Sequence, residues 1–193
     1  MRLLDGPYKD KDQDHMDPWF RVFFEKEAEE GGFLRGKESF LVVGDGATEN
    51  CLIAGACLQR GQYYAYPTYA PQMLRLIDGK YVPYEPGGDG ELDYFNSVEC
   101  VLLYDFFDPT AANCLEDKDV INLTSLIKTL VLEGVVFVIA CDEEDPDLDL
   151  IYGKTLGEFI EQHFTLIKRE DNGKGTKNKS GKNSRDAASR GGS

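Results

Sequence analysis

Three short runs of this chain are apolar at nearly every position: SFLVV at 39–43, CVLLY at 100–104 and VVFVIA at 135–140. A strand with one solvated face alternates between apolar and polar residues. A solidly apolar run must instead be buried on both faces, which is the condition of a parallel sheet covered by helices on each side. The intervening segments supply those helices. Residues 50–60 place Leu52, Ile53, Ala56 and Cys57 on one face, and residues 121–133 do the same with Leu123, Leu126, Ile127, Leu130 and Val131 before Gly134 stops the helix. Further helices are expected at 68–77 and 156–164, and short strands at 63–66 and 165–167. The fold class is therefore α/β, a three-layer sandwich around a mostly parallel sheet.

The 193 residues suffice for one domain with a substantial core. Residues 1–16 are polar and read as a flexible N-terminus. Asp17 and Pro18 open a helix whose Phe20, Phe23, Phe24 and Ala28 form an apolar stripe, and the domain is expected to run over 17–170. Residues 171–193 contain no Val, Ile, Leu or Phe and read as a disordered basic tail. Loops are expected at 80–90, 106–119 and 142–150, with a short helix at 92–98.

Charge restricts the partners. The chain has 21 basic and 35 acidic residues, net −14, while the tail alone carries six basic and two acidic. The body is thus at −18 and should repel a nucleic-acid backbone, leaving only weak contact through the tail. The five cysteines, 51, 57, 100, 114 and 141, form no CxxC pair, and with two histidines a metal site is not expected. An odd, dispersed cysteine set fits a reducing compartment. No signal-peptide pattern opens the chain and no apolar run reaches membrane-spanning length, so the expectation is a cytoplasmic protein with no membrane contact.

Ligands of open parallel sheets bind beyond the carboxyl ends of the strands. Three polar segments fall there: 44–51, 105–108 and 141–144. The first reads GDGATENC and has the place and spacing of a phosphate-binding P-loop, G-x-x-x-x-G-K-[ST]. Gly44 matches, and Gly46 helps the tight turn. Glu49 stands where the second glycine belongs, Asn50 where the lysine belongs, and Cys51 where a magnesium-binding hydroxyl belongs. Asp45 and Glu49 add negative charge where phosphate oxygens would lie. The helix N-terminus still favours an anion, and the Glu49 carboxylate is one candidate to satisfy it. Cys51 at that N-terminus is a position where a thiolate would be stabilised, but no histidine lies close in sequence to activate it.

The second segment has a Walker B-like arrangement, an apolar strand ending in Asp105 with Asp108 beyond, and Phe106 where a second acid would polarise water. The third ends a strand with Cys141 and Asp142. This order of elements resembles the AAA+ core of bacterial and phage replicative helicase loaders. The resemblance runs through Gly61-Gln62-Tyr63-Tyr64-Ala65-Tyr66, then Pro71 to Leu76, Leu102 to Asp105, Val136 to Asp142 with a sensor-like ending, and Tyr152 to Phe159. It covers roughly residues 36–168 and is one of layout rather than intact motifs. It implies a degenerate P-loop NTPase-like, AAA+-like scaffold. The helix at LGEFIEQHF carries no arginine, so the family's arginine finger has no counterpart within it.

The reading that follows is a non-catalytic adaptor that binds another protein, a replicative helicase or other replication protein, and needs no cofactor. Partner-contact candidates are Tyr81, Tyr84 and Tyr94 around the 80–90 insert, and Asp145, Asp147 and Asp149 in the acidic run. Two alternatives stand beside it. One is an acidic inhibitor or nucleic-acid mimic. The other is an unconventional enzyme using ATP and magnesium, with Asp105 on the metal and Lys154 lending charge from a distance.

Overall fold

The computed structural model describes residues 3–29, 38–77, 98–106, 115–169 and 176–178. Six strands form one sheet in the order β2-β3-β4-β1-β5-β6: β1 Ser39–Val43, β2 Ala65–Thr68, β3 Cys100–Leu103, β4 Val136–Cys141, β5 Phe164–Lys168 and β6 Thr176–Asn178. The first five are parallel, and β6 pairs antiparallel with β5 at the edge. Among the described residues six α-helices accompany them: α1 Pro18–Glu29, α2 Ala47–Arg60, α3 Ala70–Ile77, α4 Asp117–Glu133, α5 Leu148–Tyr152 and α6 Lys154–His163.

The apolar runs are solid because each strand feeds two cores. Leu41, Val101, Leu103, Phe137 and Ile139 point to one face, where Met73 of α3, Leu123 and Ile127 of α4, and Leu156 and Ile160 of α6 meet them. Phe40, Val42, Cys100, Leu102, Val136 and Val138 point to the other, against Phe20 and Phe23 of α1 and Cys51 and Ile53 of α2. The aromatic stripe of α1 packs on the middle of the sheet: the rings of Phe23 and Phe40 meet edge to face at 5.3 Å.

Several expected boundaries move. β1 stands as read, but α2 and α4 start three and four residues earlier than expected. Residues 148–150, read as the end of an acidic loop, belong to α5, where Tyr152 is anchored: its hydroxyl donates to the Phe106 carbonyl and its ring stacks on Phe106. Three tail residues, 176–178, extend the sheet as β6; the rest of the tail lies outside the described residues. So do the expected 80–90 loop, nearly all of the 92–98 helix, Tyr81, Tyr84, Tyr94, Asp108 and Cys114.

The largest departure is at the N-terminus. Residues 3–16 are not loose. They run along α2 as a strap with two 3-10 turns, Leu3–Asp5 and Gln13–His15. Leu3 is fully buried, and its backbone N–H donates to Gln59 Oε1 at 2.9 Å. Gly55 of α2 makes room for it: a Cβ there would lie 2.8 Å from a Leu3 methyl and 2.2 Å from a Leu102 methyl. Arg60 donates to the carbonyls of Lys9 and Lys11, which fixes the strap along the end of α2. Leu3→Ala should therefore lower the unfolding free energy by about 2–4 kcal/mol, the cost of emptying a buried leucine site. Urea denaturation followed by tryptophan fluorescence reads this; a loose terminus would leave the midpoint unchanged.

Candidate functional site

The carboxyl ends of β1, β3 and β4 lie along one edge, so the turn after β1, the Walker B-like segment and the sensor-like segment converge. The turn is tighter than a phosphate cradle. Its non-helical part is Gly44 to Gly46, and α2 already begins at Ala47. Gly46 caps the helix at φ 79°, a conformation natural to glycine, and a Cβ on it would stand 2.8 Å from the Asp17 carboxylate.

A phosphate cradle works by aiming free backbone N–H groups at one point. Here several of those groups already have partners. The Gly44 N–H is shared between the carbonyls of Cys141 and Glu143, at 3.0 and 3.1 Å. The Ala47 N–H goes to the Gly44 carbonyl at 2.9 Å, and the Asn50 N–H to the Gly46 carbonyl at 3.0 Å. The Thr48 N–H, in the first turn of α2, goes to Asp142 Oδ1 at 2.9 Å. Gly46 has no side chain with which to cap the helix, and Asp142 supplies a carboxylate from the end of β4 instead. Helix N-termini favour such an anion by about 0.3–1 kcal/mol. The anion at this terminus is therefore Asp142 and not Glu49. Glu49 points outward to Lys11 of the strap, 2.7 Å away. Asp45, also exposed, lies 3.6 Å from Arg169.

Asn50, at the lysine position, is 2% exposed and has three side-chain hydrogen bonds. Its Nδ2 donates to Asp17 Oδ2 at 2.9 Å and to the Gly46 carbonyl at 2.8 Å, while its Oδ1 accepts from the Asp17 N–H at 2.7 Å. One amide thus ties the start of α1 to the start of α2. Cys51, at the hydroxyl position, is 1% exposed and faces the core shared with α1. Burial pushes its thiol far above the usual range, so the thiolate that a helix N-terminus could stabilise does not form there. Burial likewise raises Cys100 to about 12 and Cys141 to about 11.

At the end of β3, Asp105 is exposed and adopts φ 50°, a left-handed conformation that aspartate tolerates better than most residues. The turn throws Phe106 back into the core, where it is fully buried against Tyr152. Tyr8 of the strap lies between this edge and the turn: burial first, then the charges of Glu49 and Asp105, raise its phenol above the ordinary value, with Lys11 acting in the opposite sense. The strap was the element the sequence reading missed. Its signal was the pair Leu3-Leu4 with Tyr8 and Met16, four apolar side chains in a segment otherwise polar. Among the described residues no group of three or more His, Cys, Asp or Glu side chains could hold a metal ion. Of the acidic-run candidates, Asp145, Asp147 and Asp149 line a cavity on the opposite face of the sheet from α2.

No protein family and no curated protein matches this chain by sequence. Solved structures do match its fold. A replication initiator DnaA bound to AMPPCP and single-stranded DNA superposes with TM-score 0.57 and 18% identity, over 86% of this chain and 51% of that one. AMPPCP-bound DnaA from Aquifex aeolicus gives 0.56 and 15%, over 86% and 52%, and a DNA replication initiation factor gives 0.55 and 15%, over 86% and 51%. The chain spans about half the length of these structures. The fold is AAA+-like, a P-loop NTPase-type α/β sandwich.

Two outcomes check this geometry. Asn50→Ala removes three hydrogen bonds worth about 1 kcal/mol each and should destabilise the protein by about 3 kcal/mol in urea denaturation; a loss below about 1 kcal/mol would mean the tie is not structural. In native labelling with iodoacetamide at mildly alkaline pH, half-buried Cys57 should react well before Cys51, Cys100 and Cys141, because a raised thiol pKa leaves little thiolate. Mass spectrometry of the peptides reads the order, and Cys51 modified as fast as Cys57 would contradict its burial.

Proposed function

We propose that this chain is a non-catalytic regulator that binds another protein through a degenerate AAA+-like scaffold and acts on the DNA replication machinery. The observation that carries it is the engagement of Asn50. The residue that would have to place a positive charge on phosphates is neutral, buried and held by three hydrogen bonds.

The rest of the donor set argues the same way. ATP with magnesium would need free N–H groups at the turn, a hard oxygen ligand after the lysine and an acid pair at the end of the Walker B strand. The corresponding groups are N–H donors engaged by Cys141, Glu143 and Asp142, a buried thiol at Cys51, and a buried ring at Phe106. These residues do not fit that cofactor. The unconventional-enzyme alternative would rest on Asp105 alone, since Lys154 projects from α6 toward Glu158 at 3.5 Å. The link to replication is supported by the fold neighbours, two of which are described as DnaA and one as a replication initiation factor. Among the described residues no helix is long and apolar enough to cross a membrane.

Isothermal titration with ATP and magnesium tests the reading. No saturable heat is expected at millimolar nucleotide, and tight magnesium-dependent binding would refute the inactive site. On the partner side, affinity capture from the native host should enrich a helicase or another replication protein, identified by mass spectrometry and then reconstituted from purified components.

A further inference from the structure

On the face away from α2, a cavity opens beside β5. Leu41 and Val43 of β1, Phe164 and Leu166 of β5 and Ile160 of α6 floor a cavity of about 530 Å³, and of these only Leu166 is more than slightly exposed. Its rim is of one sign. The β4–α5 connection brings Glu144, Asp145 and Asp147 to it, Asp149 follows in the first turn of α5, and Glu161 stands on α6. Lys168 is the one cation in the lining.

That combination selects an occupant. The size is that of a site for one ligand or a few side chains. The apolar floor calls for one or two large apolar side chains. Five carboxylates against one ammonium repel phosphates, nucleic acid and anionic lipid, and attract cations over several ångströms. An apolar centre with a charged rim is the usual plan of a peptide-binding interface, in which the buried anchor supplies affinity and the rim charges supply selection and rate.

We propose that this cleft docks a basic peptide segment of a partner protein, an apolar or aromatic anchor flanked by lysine or arginine. The inference rests on the reading of the chain as a protein-binding scaffold and names the chemistry its partner presents. It does not depend on the β1–α2 turn, so an unexpected ATP affinity would overturn the inactive site and leave the cleft's specificity standing, whereas failure in the peptide experiment would do the reverse.

The experiment uses the full chain against an array of heptapeptides in which the centre is leucine, phenylalanine or serine and the flanks are arginine, serine or glutamate. Peptides that bind are then measured in solution by fluorescence polarisation at low and high salt. Leucine- or phenylalanine-centred peptides with arginine flanks should bind, and should weaken by about tenfold or more when the flanks become serine or the salt is raised. The paired variant Glu144→Gln with Asp145→Asn changes only exposed side chains and should cost a similar factor. Leu166→Ser tests the floor, with circular dichroism as its check on folding, and the paired charge variant decides alone if Leu166→Ser unfolds. The proposal is overturned if no array member binds, if glutamate flanks bind as well as arginine, or if affinity survives the paired variant. Binding that appears only after residues 179–193 are removed would overturn it too, since the chain's own basic segment would then be the occupant.

Discussion

The Asn50 side chain joins three parts of the structure. Its amide spans from the start of α2 to the start of α1, holding Asp17 by both its backbone N–H and its carboxylate, and it closes on Gly46 within the turn itself. A polar group buried to this degree is destabilising unless its hydrogen-bonding groups are satisfied, and here donor and acceptor both are. With the chain fixed at the residue just before α1, Trp19, Phe20 and Phe23 are directed onto Phe40 and the second core. The geometry that would open a phosphate cradle is the same geometry that this amide closes.

A chain of like substitutions surrounds it. In a nucleotide-binding turn the positive charge comes from within the motif and the negative charge from the ligand. In this protein both signs come from the protein. Asp142 takes the helix N-terminus from the end of β4, Lys11 meets Glu49 from the strap, and Arg169 meets Asp45 from beyond β5. The last two pairs are exposed and contribute little to stability, about 0–1 kcal/mol each. Their effect is local neutralisation: the acidic residues of the turn do not face one another unopposed, and the strap is drawn across the edge where a ligand would enter.

The layers of the fold were legible because burial on both faces of a parallel sheet leaves an unmistakable pattern. Val136 to Ala140 could be read as a core strand from composition alone, and β1 was placed to the residue. What escaped was anchored from outside its own segment. The α5 turn is acidic and looks like loop, and it is held by tertiary contacts, Tyr152 on Phe106 and Leu148 and Asp149 against Gly157 of α6. The strap is polar, and Leu3 against Gly55, Met16 in the second core and Arg60 on the Lys9 and Lys11 carbonyls bind it down. The site was legible as a set of departures from a motif. Which carboxylate caps α2 was not, because Asp142 is 94 residues away from Thr48 and no local pattern connects them.

This arrangement also bears on how far the scaffold stands from a nucleotide binder. Restoring glycine, lysine and threonine at Glu49, Asn50 and Cys51 would rebuild the letters of the motif but not its donors. The Gly44 N–H would still be shared by Cys141 and Glu143, and the Thr48 N–H would still meet Asp142. A lysine at position 50 would also enter a site that is 2% exposed, next to one carboxylate and one carbonyl, with the helix start no longer tied to α1. Threonine at 51 would place a hydroxyl in the second core, where Cys51 is 1% exposed. Each restored letter works against a contact that the fold uses. The turn is therefore not an intact cradle lacking a few side chains. It is a helix–sheet joint, built from the same backbone positions, whose hydrogen bonds run between parts of the protein.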